Sequence, residues 1–208
     1  MRDRPPFRVG VLVSGRGSNL QAIIDAIEKR NLCVEIALVI SNKIDAEALQ
    51  RARQNGIRAE FLDPKDFPDR FSYDRELSQK FQRANVDLVV LAGYMRLVSS
   101  VLINSFKNRM INIHPSLLPA FPGLRAHGQA LNHGVKVTGC TVHFVDEEVD
   151  HGPILLQAAV PVLEGDTEDS LSDRILIEEH HLLPRAIQLL AEERVSFEGR
   201  RVIIKEGG

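Results

Sequence analysis

Apolar runs and amphipathic segments alternate along the first half of the chain. Short apolar runs predict strands over residues 7–14, 34–41, 58–63, 86–93 and 109–115. Between them, helical spacing of apolar positions predicts helices over residues 18–30, 45–56 and 73–84. The run at 86–93 is apolar on both faces, which is typical of a strand covered by helices on both sides. The pattern predicts an α/β fold, a Rossmann-like, doubly wound and mostly parallel sheet.

The rhythm changes after residue 135. Two strand-like runs, 137–145 and 153–162, are separated by the acidic loop DEEVDHG and predict an antiparallel extension of the sheet. A long helical pattern follows from Asp166 to about Arg194, and Pro184 inside it is expected to kink the helix. The tail, residues 196–208, resembles a small hairpin with a polar end. We expect a single domain over residues 1–208.

Charge and composition exclude several classes of protein. The formal net charge is −2, with Lys and Arg scattered among Asp and Glu, so no affinity for nucleic acid or an anionic membrane is expected. No apolar run approaches the length of a membrane span, and the N-terminus has no export signal, which predicts a cytoplasmic protein. Cys33 and Cys140 each stand in a strand-like context without C-x-x-C spacing, as expected in a reducing compartment.

Three polar segments follow predicted strands: SGRGSN (14–19), GYMR (93–96) and NIHPS (112–116). In an open parallel sheet, ligands bind beyond the carboxyl ends of the strands. The first segment has Leu20 where a dinucleotide fingerprint has its third glycine and lacks the G-K-[ST] of a nucleoside triphosphate loop. The remaining readings are a phosphate site at a helix start and a plain capped turn, with about even odds between them.

Asn112 and His114 alternate with Ile111 and Ile113 and therefore share one face of a strand. An amide that can donate to an oxyanion, next to an imidazole that can move a proton, suits acyl transfer. The alternative is that both side chains satisfy neighbouring loop backbone. The acidic loop offers a carboxylate partner for the histidine, and spacing alone does not choose among Asp146, Glu147, Glu148 and Asp150.

Metal binding is not predicted. The seven histidines are spread along the chain, with no H-E-x-x-H motif and no Cys/His cluster. The nucleophile elbow G-x-S-x-G is absent as well.

Over about residues 8–195 the chain resembles the folate-dependent formyltransferases, and among them the phosphoribosylglycinamide formyltransferases. The resemblance rests on the segments SGRGSNLQAIIDA, SNKIDAEALQRARQNGI, LAGYMRLVS, INIHPSLLPAFPGL, VHFVDEEVDHGPILLQ and GDTEDSL. It implies transfer of a formyl group from the co-substrate 10-formyltetrahydrofolate to the amine of glycinamide ribonucleotide in purine biosynthesis, without a metal.

The resemblance also implies the roles of particular residues. It implies a ribonucleotide-binding half at about 7–100 and a folate-binding, catalytic half at about 101–195. The implied catalytic residues are Asn112, His114 and Asp150, the last supporting the charge of the histidine. The implied ribonucleotide contacts are Gly17, Ser18, Asn19 and Glu179. The implied folate contacts are Arg70, Met95, Arg96, Leu97, Asn112, Val145 and Asp146.

Rival functions share part of these motifs. The HPSLLP core also occurs in methionyl-tRNA formyltransferases and formyltetrahydrofolate deformylases, but we expect this chain to be too short for their additional domains. The slightly negative net charge argues against a tRNA substrate, because phosphate contacts normally require a basic surface. A formyltetrahydrofolate hydrolase and a non-catalytic folate- or nucleotide-binding module are the alternatives, and either a monomer or a homodimer is expected.

Overall fold

The computed structural model describes residues 5–205, which contain a seven-stranded sheet, a separate two-stranded hairpin and six α-helices. The strands are β1 (Phe7–Val13), β2 (Val34–Ser41), β3 (Ala59–Phe61), β4 (Leu88–Leu91), β5 (Met110–His114), β6 (Val137–Phe144), β7 (Ile154–Pro161), β8 (Val195–Glu198) and β9 (Arg201–Ile204). The helices are α1 (Ser18–Glu28), α2 (Glu47–Gln54), α3 (Arg70–Arg83), α4 (Ser100–Ser105), α5 (Ala126–His133) and α6 (Glu168–Ala191).

The large sheet has the strand order β3-β2-β1-β4-β5-β6-β7. Strand β1 pairs in parallel with both β2 and β4, and β2 pairs in parallel with β3. Strand β6 pairs antiparallel with β7. This topology confirms the predicted Rossmann-like, mostly parallel sheet with an antiparallel extension, and its strand order reverses between β1 and β4, where ligands are expected beyond the strand ends.

The chain clusters into two compact units, described here over residues 5–111 and 112–205. The first unit is built around β1, whose Val9, Val11 and Leu12 are completely buried. A Cβ atom at Gly10 would lie 2.6 Å from the ring of Phe81, so glycine lets helix α3 approach this strand.

The second unit packs helix α6 against β6 and β7. Leu171, Ile175, Leu183 and Ile187 form its fully buried face. The helix begins with a capping box between Thr167 and Ser170 and remains helical across Pro184. The long predicted helix is therefore confirmed.

Several boundaries differ from the prediction. Helix α3 begins at Arg70 rather than 73 because Asp69 caps it, its Oδ1 accepting from the N–H of Ser72 at 2.7 Å. Helices α4 and α5 were not predicted. The prediction of a strand context was wrong for Cys33, which is exposed and precedes β2, whereas Cys140 is buried in β6.

The predicted terminal hairpin is present as β8 and β9. The last residues of the predicted tail, 206–208, and the first residues of the N-terminus, 1–4, lie outside the described residues. Within residues 5–205, no helix combines the length and apolar character that crossing a bilayer requires.

Candidate active site

Strand β5 places Asn112 and His114 on one side of the second unit. Ile113, between them, is buried on the opposite side with 6% of its surface exposed. His114 is 5% exposed and Asn112 is partly buried. The strand's alternation of apolar and polar residues thus brings an amide and an imidazole to the same place, as the sequence predicts.

Asp150 contacts both of these side chains. Its Oδ2 lies 3.3 Å from Nδ1 of His114, and its Oδ1 lies 3.4 Å from Nδ2 of Asn112. The backbone N–H of Gly123 donates to Oδ2 at 2.7 Å. Asp150 has φ of 51°, a left-handed conformation that aspartate tolerates better than most residues. Of the four carboxylates in the acidic loop, Asp150 is therefore the one that joins Asn112 and His114.

The ring of His114 is oriented by a loop carbonyl. Its Nε2 lies 2.9 Å from the carbonyl oxygen of Phe121, which can only accept, so Nε2 carries a hydrogen. A neutral imidazole has one N–H, and Nδ1 then presents a lone pair to Asp150. The space between Nδ1 and Oδ2 is consequently a place where one additional proton would be held.

Buried hydrogen bonds fix the loop that supplies this carbonyl. The hydroxyl of Thr141 donates to the carbonyl of Ser116 at 2.6 Å and accepts from the N–H of Leu118 at 3.1 Å. Gln157 donates to the same hydroxyl at 3.0 Å and to the carbonyl of Leu118 at 2.9 Å. Because Ser116 and Thr141 are fully buried, these bonds are shielded from water and hold the loop in one conformation.

His143 of β6 is a fourth member of this cluster, and the sequence did not predict its place there. Its Nδ1 lies 2.9 Å from the carbonyl of Phe144, which can only accept, so Nδ1 carries a hydrogen. In the tautomer with its single hydrogen on Nδ1, Nε2 accepts, and it lies 3.2 Å from Nδ2 of Asn112 and 3.6 Å from Oδ1 of Asp150. The contact with His143 and the carboxylate of Asp150, which can only accept, together favour the amide orientation in which the nitrogen of Asn112 faces the carboxylate.

Burial and neighbouring groups set the ionisation of the central pair. Burial lowers the pKa of His114, and this outweighs the opposing influence of the Phe121 carbonyl and Asp150, so the pKa lies below its usual range. Burial raises the pKa of Asp150, but the two neighbouring imidazoles and the N–H of Gly123 outweigh this effect, so the pKa lies below its usual range. Near neutral pH the pair is a carboxylate beside a neutral imidazole and can accept one proton.

The glycine loop in the first unit has the geometry of an open helix start. Gly17 is the N-cap of α1 with φ of 73°, and no side chain caps the helix there. A Cβ atom at Gly17 would lie 2.6 Å from Cβ of Ala48, so the loop packs closely on α2. Ser18 and Asn19 form the first turn. Backbone N–H groups at the start of a helix favour an anion.

The loop after β4 displays apolar side chains in the first unit. Met95 is 62% exposed and Leu97 is 58% exposed. Arg96, between them, turns back, and its guanidinium lies 5.2 Å from the ring centre of Tyr73.

The other predicted contacts occupy separate elements. Arg70 is exposed at the start of α3, and its guanidinium lies 5.6 Å from the ring centre of Phe71. Val145 and Asp146 are partly buried and begin the loop that ends at Asp150. Oδ2 of Asp146 lies 2.9 Å from Nδ1 of His151. Glu179 lies on α6 with 6% exposure. Burial, followed by the charge of Glu179, raises the pKa of the Cys140 thiol to about 12.

Among residues 5–205, no group of three or more His, Cys, Asp or Glu side chains is arranged to hold a metal ion.

Comparison with known proteins gives consistent matches. The profile of the formyl transferase family matches residues 7–187. Phosphoribosylglycinamide formyltransferase of Escherichia coli is 47% identical over 92% of this chain and 90% of its own length. A crystal structure of glycinamide ribonucleotide transformylase 1 from Symbiobacterium toebii has 56% identity and a TM-score of 0.95, and covers 97% of this chain and 95% of that one.

Longer relatives match over a small part of their length. The trifunctional purine biosynthetic protein adenosine-3 of Drosophila pseudoobscura pseudoobscura is 51% identical over 92% of this chain, which spans 14% of that protein.

Proposed function

This chain belongs to the formyl transferase family, and we propose that it transfers the formyl group of 10-formyltetrahydrofolate to the amine of glycinamide ribonucleotide in purine biosynthesis. The observation that carries the proposal is the contact of Asp150 with both Asn112 and His114, at 3.4 and 3.3 Å. The contact brings a hydrogen-bond donor, the amide of Asn112, close to a proton acceptor, the Asp150–His114 pair. Acyl transfer to an amine requires both groups, because the carbonyl oxygen gains negative charge while the amine loses a proton.

The first step joins the amine to the donor. The amine nitrogen attacks the formyl carbon, the carbon–nitrogen bond forms, and the electron pair of the carbonyl bond moves to oxygen. The N–H of Asn112 that donates to Asp150 before substrate binds is proposed to donate to this oxyanion instead. The contact with His143 helps to keep the amide nitrogen, rather than its oxygen, directed to the site.

The second step moves one proton and breaks one bond. The proton from the amine passes, directly or through water, to the Asp150–His114 pair, which is unprotonated near neutral pH. The imidazolium that forms stays paired with Asp150 and adds positive charge near the oxyanion. When the tetrahedral centre collapses, the bond from carbon to N10 of the folate breaks and that nitrogen takes the proton. The products are formylated ribonucleotide and tetrahydrofolate.

The ribonucleotide is proposed to bind through its phosphate at the start of α1. Gly17, Ser18 and Asn19 present backbone N–H groups there, and the positive end of the helix dipole favours a dianion. Glu179 is proposed to contact the ribonucleotide. A buried carboxylate is suited to bind amide or hydroxyl donors on a small polar substrate.

The folate is proposed to contact the loop after β4 and the acidic loop. Met95 and Leu97 offer exposed apolar surface to the pterin, with Arg96 between them. The backbone of Val145 and Asp146 and the side chain of Asn112 are proposed to supply polar contacts, and Arg70 is proposed to pair with the carboxylate end of the molecule. We also propose a cytoplasmic enzyme, a monomer or homodimer, that acts on these two small molecules without a metal or nucleic acid.

Consumption of 10-formyltetrahydrofolate by the purified protein, with and without glycinamide ribonucleotide, tests this function. Release of tetrahydrofolate only when the ribonucleotide is present, with one formylated ribonucleotide per folate released, is the expected result. Release at the same rate without the ribonucleotide would identify a hydrolase instead. No release under either condition, with folate still bound, would identify a binding module.

A further inference from the structure

The loop between β4 and α4, residues 92–99, is held from two sides by buried polar side chains. These are Ser14, at the end of β1, and Asp74, in α3, which are 3% and 1% exposed. Both accept hydrogen bonds from backbone N–H groups of the loop. They therefore fix the path of the loop whatever residues it displays.

Asp74 holds the end of the loop. Its Oδ2 accepts from the backbone N–H of Ser99 at 2.5 Å. Ser99 is the N-cap of α4, so this bond sets the point where the loop ends and the helix begins. Burial raises the pKa of Asp74, and the bond with Ser99 only partly offsets this effect. Burying a carboxyl group without a hydrogen bond is costly, so the bond with Ser99 offsets part of the cost of placing Asp74 here.

Ser14 holds the middle of the loop. Its hydroxyl accepts from the backbone N–H of Met95 at 2.8 Å and donates to Oδ1 of Asn42 at 2.6 Å. Donor and acceptor capacity of the hydroxyl are both used, which fixes its direction. Met95 thus has a tethered backbone beneath a side chain that is 62% exposed.

Alternate side chains of the loop add to this anchoring. Tyr94 is 8% exposed, and its hydroxyl lies 3.5 Å from that of Tyr73. The guanidinium of Arg96 lies over the ring of Tyr73, the residue that precedes Asp74. Residues 94 and 96 are therefore tied to α3, while Met95 and Leu97 are left facing outward as a rigid apolar surface.

We propose that Asp74 is a positioning residue for folate: by holding Ser99 it keeps Met95 and Leu97 in the arrangement that binds the pterin, with Ser14 as the second anchor. This inference rests on the proposed function and adds to it two residues that touch no substrate. Preorganisation of a binding loop contributes affinity, because the loop loses less conformational freedom when the ligand binds. Removing the anchor should therefore weaken folate binding selectively.

The test compares three variants in the formyl-transfer assay with both substrates varied. Asp74→Ala should raise the KM for 10-formyltetrahydrofolate roughly tenfold and leave kcat and the KM for the ribonucleotide within about twofold. Asp74→Asn keeps an oxygen that can accept from Ser99 and should restore most of the folate KM. Asp87→Ala is the matched control: Oδ2 of Asp87 also accepts a backbone N–H, that of Arg8 at 2.8 Å, but at the opposite ends of β1 and β4.

Three results would overturn the inference: an unchanged folate KM in Asp74→Ala, an equal rise in both KM values, or an equal rise in the Asp87→Ala control. If Asp74→Ala does not fold, Ser14→Ala is judged by the same selective rise in the folate KM. The wild-type assay comes first, so that a failure to transfer formyl overturns the proposed function by itself. Selective effects of these variants in an active enzyme address only the inference.

Discussion

The imidazole of His143 accepts a hydrogen bond from the side-chain amide of Asn112, with 3.2 Å between Nε2 and Nδ2. The same ring is fixed by the carbonyl of Phe144, 2.9 Å from Nδ1. His143 thus helps to orient an amide whose nitrogen donates hydrogen bonds and whose oxygen accepts them. An inverted amide would present its oxygen, which repels an oxyanion.

His143→Ala should therefore lower kcat roughly tenfold while both KM values stay within about twofold, because the amide loses one of the two contacts that direct its nitrogen toward the developing oxyanion. His143→Gln retains an acceptor and should recover part of the loss. Steady-state kinetics check this, with His181→Ala, an exposed position on α6, as control. A rise in KM without a change in kcat would mean that His143 contacts substrate instead.

Gly17 should be far more sensitive to alanine than Gly15. At Gly17 the backbone has φ of 73° and a Cβ atom would lie 2.6 Å from that of Ala48, whereas a Cβ atom at Gly15 has no neighbour within 4 Å. Gly17→Ala should displace the start of α1 and raise the ribonucleotide KM about tenfold or more, with a smaller effect on the folate KM. Gly15→Ala, measured in parallel, should leave the ribonucleotide KM and the folate KM near their wild-type values. Equal effects of the two substitutions would contradict a phosphate site at this helix start.

Glu179→Gln should raise the ribonucleotide KM roughly tenfold and leave the folate KM unchanged, because a buried carboxylate that binds a polar substrate loses its charge-assisted hydrogen bonds. The neighbouring Glu178→Gln is the control on the same helix turn. Both substrates are titrated in the transfer assay. A folate KM that rises instead would place Glu179 in the other substrate's site.

Stability should depend on pH through His114. Burial lowers the pKa of His114 in the folded state, so the unfolded chain binds more protons and stability rises with pH across the interval below the unfolded value of about 6.5. His114→Asn should remove up to about 1.4 kcal/mol per pH unit from this slope. Urea denaturation at pH values between about 5 and 7 measures the free energy of unfolding. An unchanged slope in the variant would show that other groups cause the pH dependence.

The sequence predicts the fold and the pairing of Asn112 with His114 in the candidate site because both follow from local periodicity. Alternation along β5 is sufficient to place Asn112 and His114 on one face. Selecting Asp150 from four carboxylates was not possible from spacing and required the family resemblance. The left-handed backbone of Asp150 and its bond from Gly123 are set by a loop whose conformation depends on distant contacts.

His143 was missed for a related reason. It lies in a strand-like run whose register against its neighbours is a tertiary property, and the sequence reasoning considered it only as a possible metal ligand. Two carbonyls, those of Phe121 and Phe144, fix the hydrogen positions on His114 and His143. Every residue has a carbonyl, so no side-chain motif could have indicated these two.

The Asp150–His114 pair can be tested by a single-turnover experiment with Asp150→Asn, in which enzyme exceeds 10-formyltetrahydrofolate and saturating ribonucleotide starts the reaction. The substitution keeps the shape of the side chain and its oxygen for Gly123 but removes the charge that holds a proton with His114. We expect both substrates to bind within about threefold of wild type and the rate of formyl transfer to fall by two or more orders of magnitude. Transfer at the wild-type rate, or loss of binding in place of loss of rate, would contradict a catalytic role for the pair.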